Sequence, residues 1–327
     1  MTAADIAPSA STGSLQRFAG AYGQEIVVTL ALAVLFVGVG LYNPRFLSST
    51  NLTSIFSGNA YIAVAAIGMS LVIMSGHIDV SVGSLIGVLA TIAGTLAVGG
   101  YPVWVAWLVP ILAGIVINAA VGALVAYSRI PSIVVTLGML SILKGGLISA
   151  TGGAWISNMP AGFLIAQARL FGIPSPVYFM IILTIIAAFF MRYTDFGRAI
   201  YAVGGNIEAA RAAGVDPERT VVGVFALHGL FAGIAALLFA TQLQVIQSTV
   251  PNGLELTVIT ASVIGGVSIL GGTGTVVGST LAAILFAAIN SSLIFLNISA
   301  YWLRAVLGLM ILATVLADMA RHRRIMR

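Results

Sequence analysis

Charge is what this 327-residue chain most lacks: 7% of its residues are Asp, Glu, Lys or Arg, against about 25% in an ordinary soluble protein. With 60% hydrophobic residues as well, a soluble globular fold is excluded. Cysteine is absent, which removes structural disulfides, thiolate metal sites and cysteine nucleophiles and leaves the redox compartment undetermined. Lysine occurs once, at Lys144 after Leu143, so the Gly-Lys-Ser/Thr of a phosphate-binding loop cannot form and the chain cannot bind ATP in that way by itself. The histidines, His77, His228 and His322, lie far apart and show no metal-ligand spacing. No catalytic constellation is present, and neither an enzyme nor a bound cofactor or metal is expected.

The few charges are unevenly placed. Residues 46–78, 80–128, 170–191, 220–254 and 256–303 carry none, in stretches of 33, 49, 22, 35 and 48 residues. About 20 apolar residues in a helix cross a hydrocarbon core of about 30 Å. These runs therefore predict an all-α, polytopic transmembrane helical bundle. Charge, Gly/Pro and Asn punctuation divides it into about ten spans, near 26–42, 53–75, 78–99, 103–127, 132–150, 176–192, 220–241, 254–270, 275–295 and 301–317. The weakest division lies within 46–128. Residues 1–24 read as a cytoplasmic tail, 25–318 as the transmembrane domain with a charged loop at 193–219, and 319–327 as a basic cytoplasmic tail.

Basic residues set the orientation, because cytoplasmic loops retain excess Lys and Arg. With the N-terminus inside, Arg17, Arg129, Arg192, Arg198, Arg211, Arg219, Arg321, Arg323, Arg324 and Arg327 are cytoplasmic, while Arg45, Lys144, Arg169 and Arg304 are not. That arrangement is N-in and C-in. A same-sense internal repeat with an offset of 195 residues lays Gly76–Ser84 on Gly271–Ser279, two glycine-bearing turns that each enter a span; chance alignment of two Gly/Ser-rich turns explains it equally well.

The densest charge lies between residues 192 and 219, which hold Arg192, Asp195, Arg198, Glu208, Arg211, Asp216, Glu218 and Arg219. Within it, Gly204-Gly205-Asn206-Ile207-Glu208-Ala209-Ala210-Arg211-Ala212-Ala213-Gly214 spells a short helix. Asn206 suits the N-cap, Glu208 the first turn and Gly214 the left-handed position past the end. Glu208 and Arg211 are spaced to pair, Asp216 can cap the next helix, and Pro217 fits its first position. So short a helix is marginal alone, which points to a partner groove or, more simply, to a solvated positive-inside loop.

That loop resembles the cytoplasmic EAA-type loop of ribose-type ABC transporter permeases, the inner-membrane components of binding-protein-dependent carbohydrate uptake systems. Gly76-His77-Ile78-Asp79-Val80-Ser81-Val82-Gly83-Ser84 resembles the family's Gly-Gly-Ile-Asp-Leu-Ser-Val-Gly-Ser signature. Gly253-Leu254-Glu255-Leu256 with Val263–Gly274 resembles its second-half segment. The likeness covers about residues 26–318; His77 replaces a usual glycine and Thr257 a usual aspartate. It implies that Gly204, Gly205, Asn206, Glu208, Ala209, Ala210, Arg211 and Gly214 couple the chain to a separate cytoplasmic ATPase. It also implies an extracytoplasmic sugar-binding protein and a second permease chain, identical or homologous, in the inner or plasma membrane.

Asp79 needs a reason, since a carboxylate at mid-membrane costs roughly 2.5–3.5 kcal/mol on insertion scales. Asp79 or Ser81 is expected to cap the third span near the cytoplasmic interface, with Gly83 starting a small-residue packing stripe. The second span, with Asn59 and Gly68, is marked for discontinuity. Asn59, Tyr61, Asn118, Thr136, His228, Glu255, Thr260 and Asn290 are candidate pathway-lining groups, suited to a neutral polyol, although each alone is ordinarily an interhelical hydrogen bond. The expected function is the permease subunit of an ABC importer for a sugar or related polyol. The alternative is an ion-coupled secondary transporter, against which the placing of Asp79 and Glu255 near span ends is the argument.

Overall fold

A computed structural model describes residues 14–242, 245–247, 253–299 and 301–325. Almost every described segment is helical: α1 (Ser14–Tyr42), α2 (Ser49–Gly58), α3 (Ala60–Met74), α4 (Val82–Val98), α5 (Val103–Ser128), α6 (Ser132–Thr151), α7 (Ser175–Tyr193), α8 (Asp195–Gly205), α9 (Ile207–Ala212), α10 (Pro217–Gln242), α11 (Leu254–Ile264), α12 (Val276–Phe295) and α13 (Trp302–Ile325). Two minimal antiparallel pairings, Trp155–Ile156 with Ile246–Gln247 and Arg169–Leu170 with Ile173–Pro174, tie loops together.

Every expected span contains helix, although 53–75 is divided between two helices and 254–270 is helical only to Ile264. Among the described residues, seven spans are long and apolar enough to cross a membrane: Gly23–Tyr42, Ser49–Met74, Val103–Ser128, Ser132–Thr151, Ser175–Tyr193, Pro217–Gln242 and Val276–Phe295. The helices Val82–Val98 and Leu254–Ile264 are apolar but shorter. Two helices run past the expected apolar bounds. Helix α1 begins at Ser14, inside the expected 1–24 tail, and α13 continues to Ile325, past 318. Hydropathy marks where the apolar stretch ends, whereas good helix formers on its flanks carry the helix further. Residues 1–13, 326 and 327 of the expected tails lie outside the described residues.

Apolarity decides which helices go inside. Helix α3 is hydrophobic on every face, and all but Tyr61 of its residues are buried, as a helix without a polar side must be. It is packed by α7, α10, α11 and α12. The second span is indeed broken: Asn59 ends α2 and starts α3 with φ −117° and ψ 6°. Its amide donates to the carbonyls of Ser54 and Ile55, both at 3.4 Å. Helices α5 and α10 make the most extensive pairing, at a contact where Gly114 and Gly229 let the backbones touch. The outer helices show stripes of exposed apolar residues, such as Ile181, Ile182, Ile185, Ile186 and Phe189 on α7, the face that hydrocarbon wets.

Candidate functional site

Two places concentrate polar chemistry: the cytoplasmic-type segment α8–α9, and a turn buried inside the bundle between α3 and α4.

The segment builds itself locally. Thr194 caps α8 by accepting from the N–H of Gly197 at 3.0 Å. Ile200 and Val203 turn the apolar face of α8 inward. Tyr201 donates to the carbonyl of Gly274 at 2.9 Å; burial, and then the charge of Glu25, hold its hydroxyl above the ordinary range. Asn206 ends α8 and caps α9, its Oδ1 accepting from Ala209 N–H at 2.9 Å. Gly214 follows with φ +86°, and the N–H of Val215 reaches back to the carbonyl of Ala210 at 3.0 Å, which closes the helix end. Asp216 then accepts from Arg219 N–H at 3.0 Å in front of Pro217. Arg211 reaches Glu208 at 3.5 Å and Glu218 at 2.6 Å. The spacing of residues showed the first of these pairs; the second depends on how α9 folds back on α10 and was not legible.

Helix α9 buries Ala210 alone and leaves Ile207, Glu208, Ala209, Arg211 and Ala212 exposed. A cleft of about 810 Å³ beside it is lined by α9, the start of α10, Arg129 to Ile133 and His77. At its base the backbone is tight. A Cβ on Gly204 would overlap the carbonyl oxygen of Met74, and the N–H of Gly272 donates to that same carbonyl at 2.9 Å. The two glycine-bearing turns aligned in the sequence thus lie side by side, with the end of α8 on both.

The buried turn separates the two residues expected at the start of the third span. Ser81, not Asp79, is the N-cap residue of α4, and it makes no side-chain cap bond. Asp79 Oδ1 accepts from the N–H of Ser81 at 2.8 Å and from its hydroxyl at 2.5 Å. This Asx-type turn stands just ahead of the helix. Asp79 is fully buried, and its Oδ2 lies 3.5 Å from His228 Nε2, near the middle of α10. The carboxylate is therefore shielded from solvent by the surrounding helices. Helix α4 begins there, beside the start of α11: a Cβ on Gly83 would come within 2.5 Å of Glu255 Oε2 and 3.1 Å of Glu255 N. Two helix N-termini, both favourable for negative charge, converge where the two acids sit. Thr136 holds the turn from α6, with its Oγ1 at 3.4 Å from the carbonyl of Ile78, and Ser132 Oγ accepts from Ile78 N–H at 3.2 Å.

The other candidate lining residues divide. Asn59 and Asn290 meet at one cavity of about 250 Å³, lined also by Asn51, Ser54 and Ser291, without a charged group. Tyr61 packs on Phe239, ring centroids 5.1 Å apart. Asn118, Thr136, His228 and Thr260 are fully buried. Thr260 bonds to Leu256 O in its own helix at 2.5 Å, and Asn118 lies against Gly229 of α10.

A bundle of apolar helices with a charged, capped helix at one edge has the form of a transport subunit, and comparison with known proteins decides which kind. Residues 51–315 match the family described as branched-chain amino acid transport system / permease component. The chain belongs to this permease family. It is 38% identical over 296 residues to the autoinducer 2 import system permease protein LsrC of Salmonella typhi, covering 90% of this chain and 85% of that one. The same identity and length hold for LsrC of Escherichia coli O9:H4 (strain HS) and of Shigella flexneri, with 86% of each covered. No solved structure matches. The permease is a multi-pass inner-membrane subunit of an ABC import system and not an enzyme. Membership removes the ion-coupled alternative; Asp79 and Glu255 do stand at helix ends, just ahead of α4 and in the first turn of α11.

Proposed function

We propose that the permease carries a small uncharged polyhydroxylated solute, a sugar or polyol, through about ten spans with both termini in the cytoplasm. Helix α9 is its docking point for a separate ATPase. A binding protein delivers solute on the opposite side, and a second permease chain completes the pathway. The observation that carries this reading is α9 itself: a six-residue helix that presents Glu208, Arg211 and small alanines to solvent. So short a helix gains little on its own. The end of α8 that leads into it rests through Gly204 on Met74, just ahead of the turn that carries Asp79, so force applied at α9 reaches the bundle interior through backbone contacts. ATP-driven closure of the ATPase would shift the helices between inward- and outward-facing packings. The uncharged Asn51, Ser54, Asn59, Asn290 and Ser291 cavity supports a neutral polyol over a zwitterion, which would ask for fixed charges. The LsrC relatives, named for autoinducer 2 import, support a solute outside the amino acid class.

Reconstitution with the ATPase and binding protein encoded alongside the permease tests this. ATP-dependent uptake of a labelled sugar or polyol, uncompeted by leucine or valine, is expected. Uptake of the amino acid instead would reassign the substrate, and uptake without any ATPase would remove the docking role.

A further inference from the structure

Several buried polar atoms of this bundle have no hydrogen-bond partner among the described residues, Thr91 Oγ1 and the Asn118 amide among them, and two of the groups concerned face each other. Asp79 Oδ2 and both ring nitrogens of His228 are buried without a hydrogen-bond partner among the described residues, and Oδ2 and Nε2 face each other at 3.5 Å. Beyond the imidazole, Nδ1 points at Gly68 of α3, where a Cβ would come within 2.7 Å of it. The ring is thus clamped between α3 and the turn, with little room to present its nitrogens elsewhere. The ordinary states of the two groups do not fit this place. A carboxylate facing a bare imidazole nitrogen sets two acceptors against each other, and a carboxylate facing a neutral imidazole N–H leaves a net negative charge in an apolar interior, which is costly without a cation. Among the described residues no Lys or Arg pairs with Asp79. The other titratable groups at the turn are Glu255, an acid against Gly83, and His77, which packs on Phe225 of α10 with ring centroids 6.3 Å apart. From α6 the turn is met by the hydroxyls of Ser132 and Thr136.

We propose that Asp79 and His228 form a buried proton site, holding one proton beyond that of a neutral imidazole and an ionised carboxyl, and that the loaded pair fastens the 75–81 turn to α10. The pair is then neutral overall, as carboxylate with imidazolium or as carboxylic acid with imidazole. Parting the turn from α10 opens the pair to water, where at about pH 7 aspartate is ionised and histidine mostly neutral. One proton leaves to solvent on opening and one returns on closing. The fastened state binds more protons, so lower pH favours it and slows any step that needs the turn to part.

The low histidine count makes the site readable. In full-length permease in nanodiscs, on a His77→Gln, His322→Gln background labelled with ¹⁵N-histidine, the single remaining ring is His228. Its nitrogen resonances are expected to report the extra proton, as an imidazolium or as an imidazole accepting from a carboxylic acid, at neutral pH and above. Asp79→Asn should convert them to an ordinary neutral ring. A neutral imidazole donating to an ionised carboxyl, or a spectrum unmoved by Asp79→Asn, overturns the proposal whether or not the protein transports sugar. The second measurement rests on the proposed transport function: uptake by the reconstituted system from about pH 5.5 to 8, normalised to folded permease. Slowing toward low pH that disappears in Asp79→Asn/His228→Gln supports the latch; the same slowing in that variant removes it.

Discussion

Helix α9 and the 75–81 turn carry comparable polar machinery under opposite rules. The first is exposed and stabilised by neighbours in sequence: Asn206 on Ala209, Val215 on Ala210, Arg211 on Glu218. The turn is buried and held by groups far along the chain, His228, Ser132 and Thr136. In α9, solvent substitutes for any bond that is lost, so a substitution costs little stability and acts on what docks there. At the turn nothing substitutes, so a substitution acts on folding first.

The largest effect expected from this contrast is at the contact between the two. Gly204→Ala places a methyl on the carbonyl of Met74, backbone on backbone, at a point where no flexible side chain can yield. Folded permease, read by size-exclusion chromatography in detergent and by melting temperature, should fall sharply. An unperturbed melting temperature would show that the α8 end does not bear on the turn. Gly214→Val is the contrast, since open space surrounds it and the cost is only that of a β-branched residue at φ +86°, on the order of 1–3 kcal/mol and local to the α9 end. Membrane abundance should stay near normal while ATPase co-purification and uptake drop.

A smaller effect on stability, and a cleaner one on function, is expected from Arg211→Ala. Its two ion pairs are solvent-exposed, and such pairs are worth about 0–1 kcal/mol each. The melting temperature should barely move, yet co-purification with the ATPase should weaken. Full coupling in this variant, and in one whose 204–214 segment is a Gly/Ser linker, would take the docking role from α9. Single cysteines at Asn158 and Asn206 sharpen the same comparison: external labelling of the first and protection of the second in sealed cells is expected, and the reverse would invert the N-in orientation.

What could be read in the sequence follows the same division. The spans were legible because apolar runs need no partner to be recognised, and the break at Asn59 because Gly58-Asn59 interrupts one of them. Helix α9 was legible down to its caps, since capping, dipole and left-handed glycine signals act within four residues. The burial of Asp79 against His228 was not. An acid beside a glycine-bearing turn reads as an interfacial cap, and its burial is decided by α10 folding alongside and setting His228 there. Gly204 was singled out as part of a motif, but its reason, contact with Met74 and Gly272, is equally long-range. The extent of α1 and α13 beyond their apolar cores was not legible, because polar flanking residues that continue a helix give no hydropathy signal.

The smallest expected effect concerns His77, which stands between the two regions, in the turn and on the wall of the cleft beside α9. Burial holds its imidazole below the ordinary value of 6.5, so the folded state prefers it neutral. The unfolded chain then takes up a proton at a higher pH than the folded one, and stability rises with pH across that interval. The contribution is complete above the unfolded value near 6.5 and is lost as pH falls through and below it. Melting temperature measured from about pH 7.5 down to 5 should therefore decline in the wild type and decline less in His77→Gln, which cannot charge. Identical slopes would mean that His77 is solvated in the folded protein and that the cleft reaches further under the turn than its lining indicates.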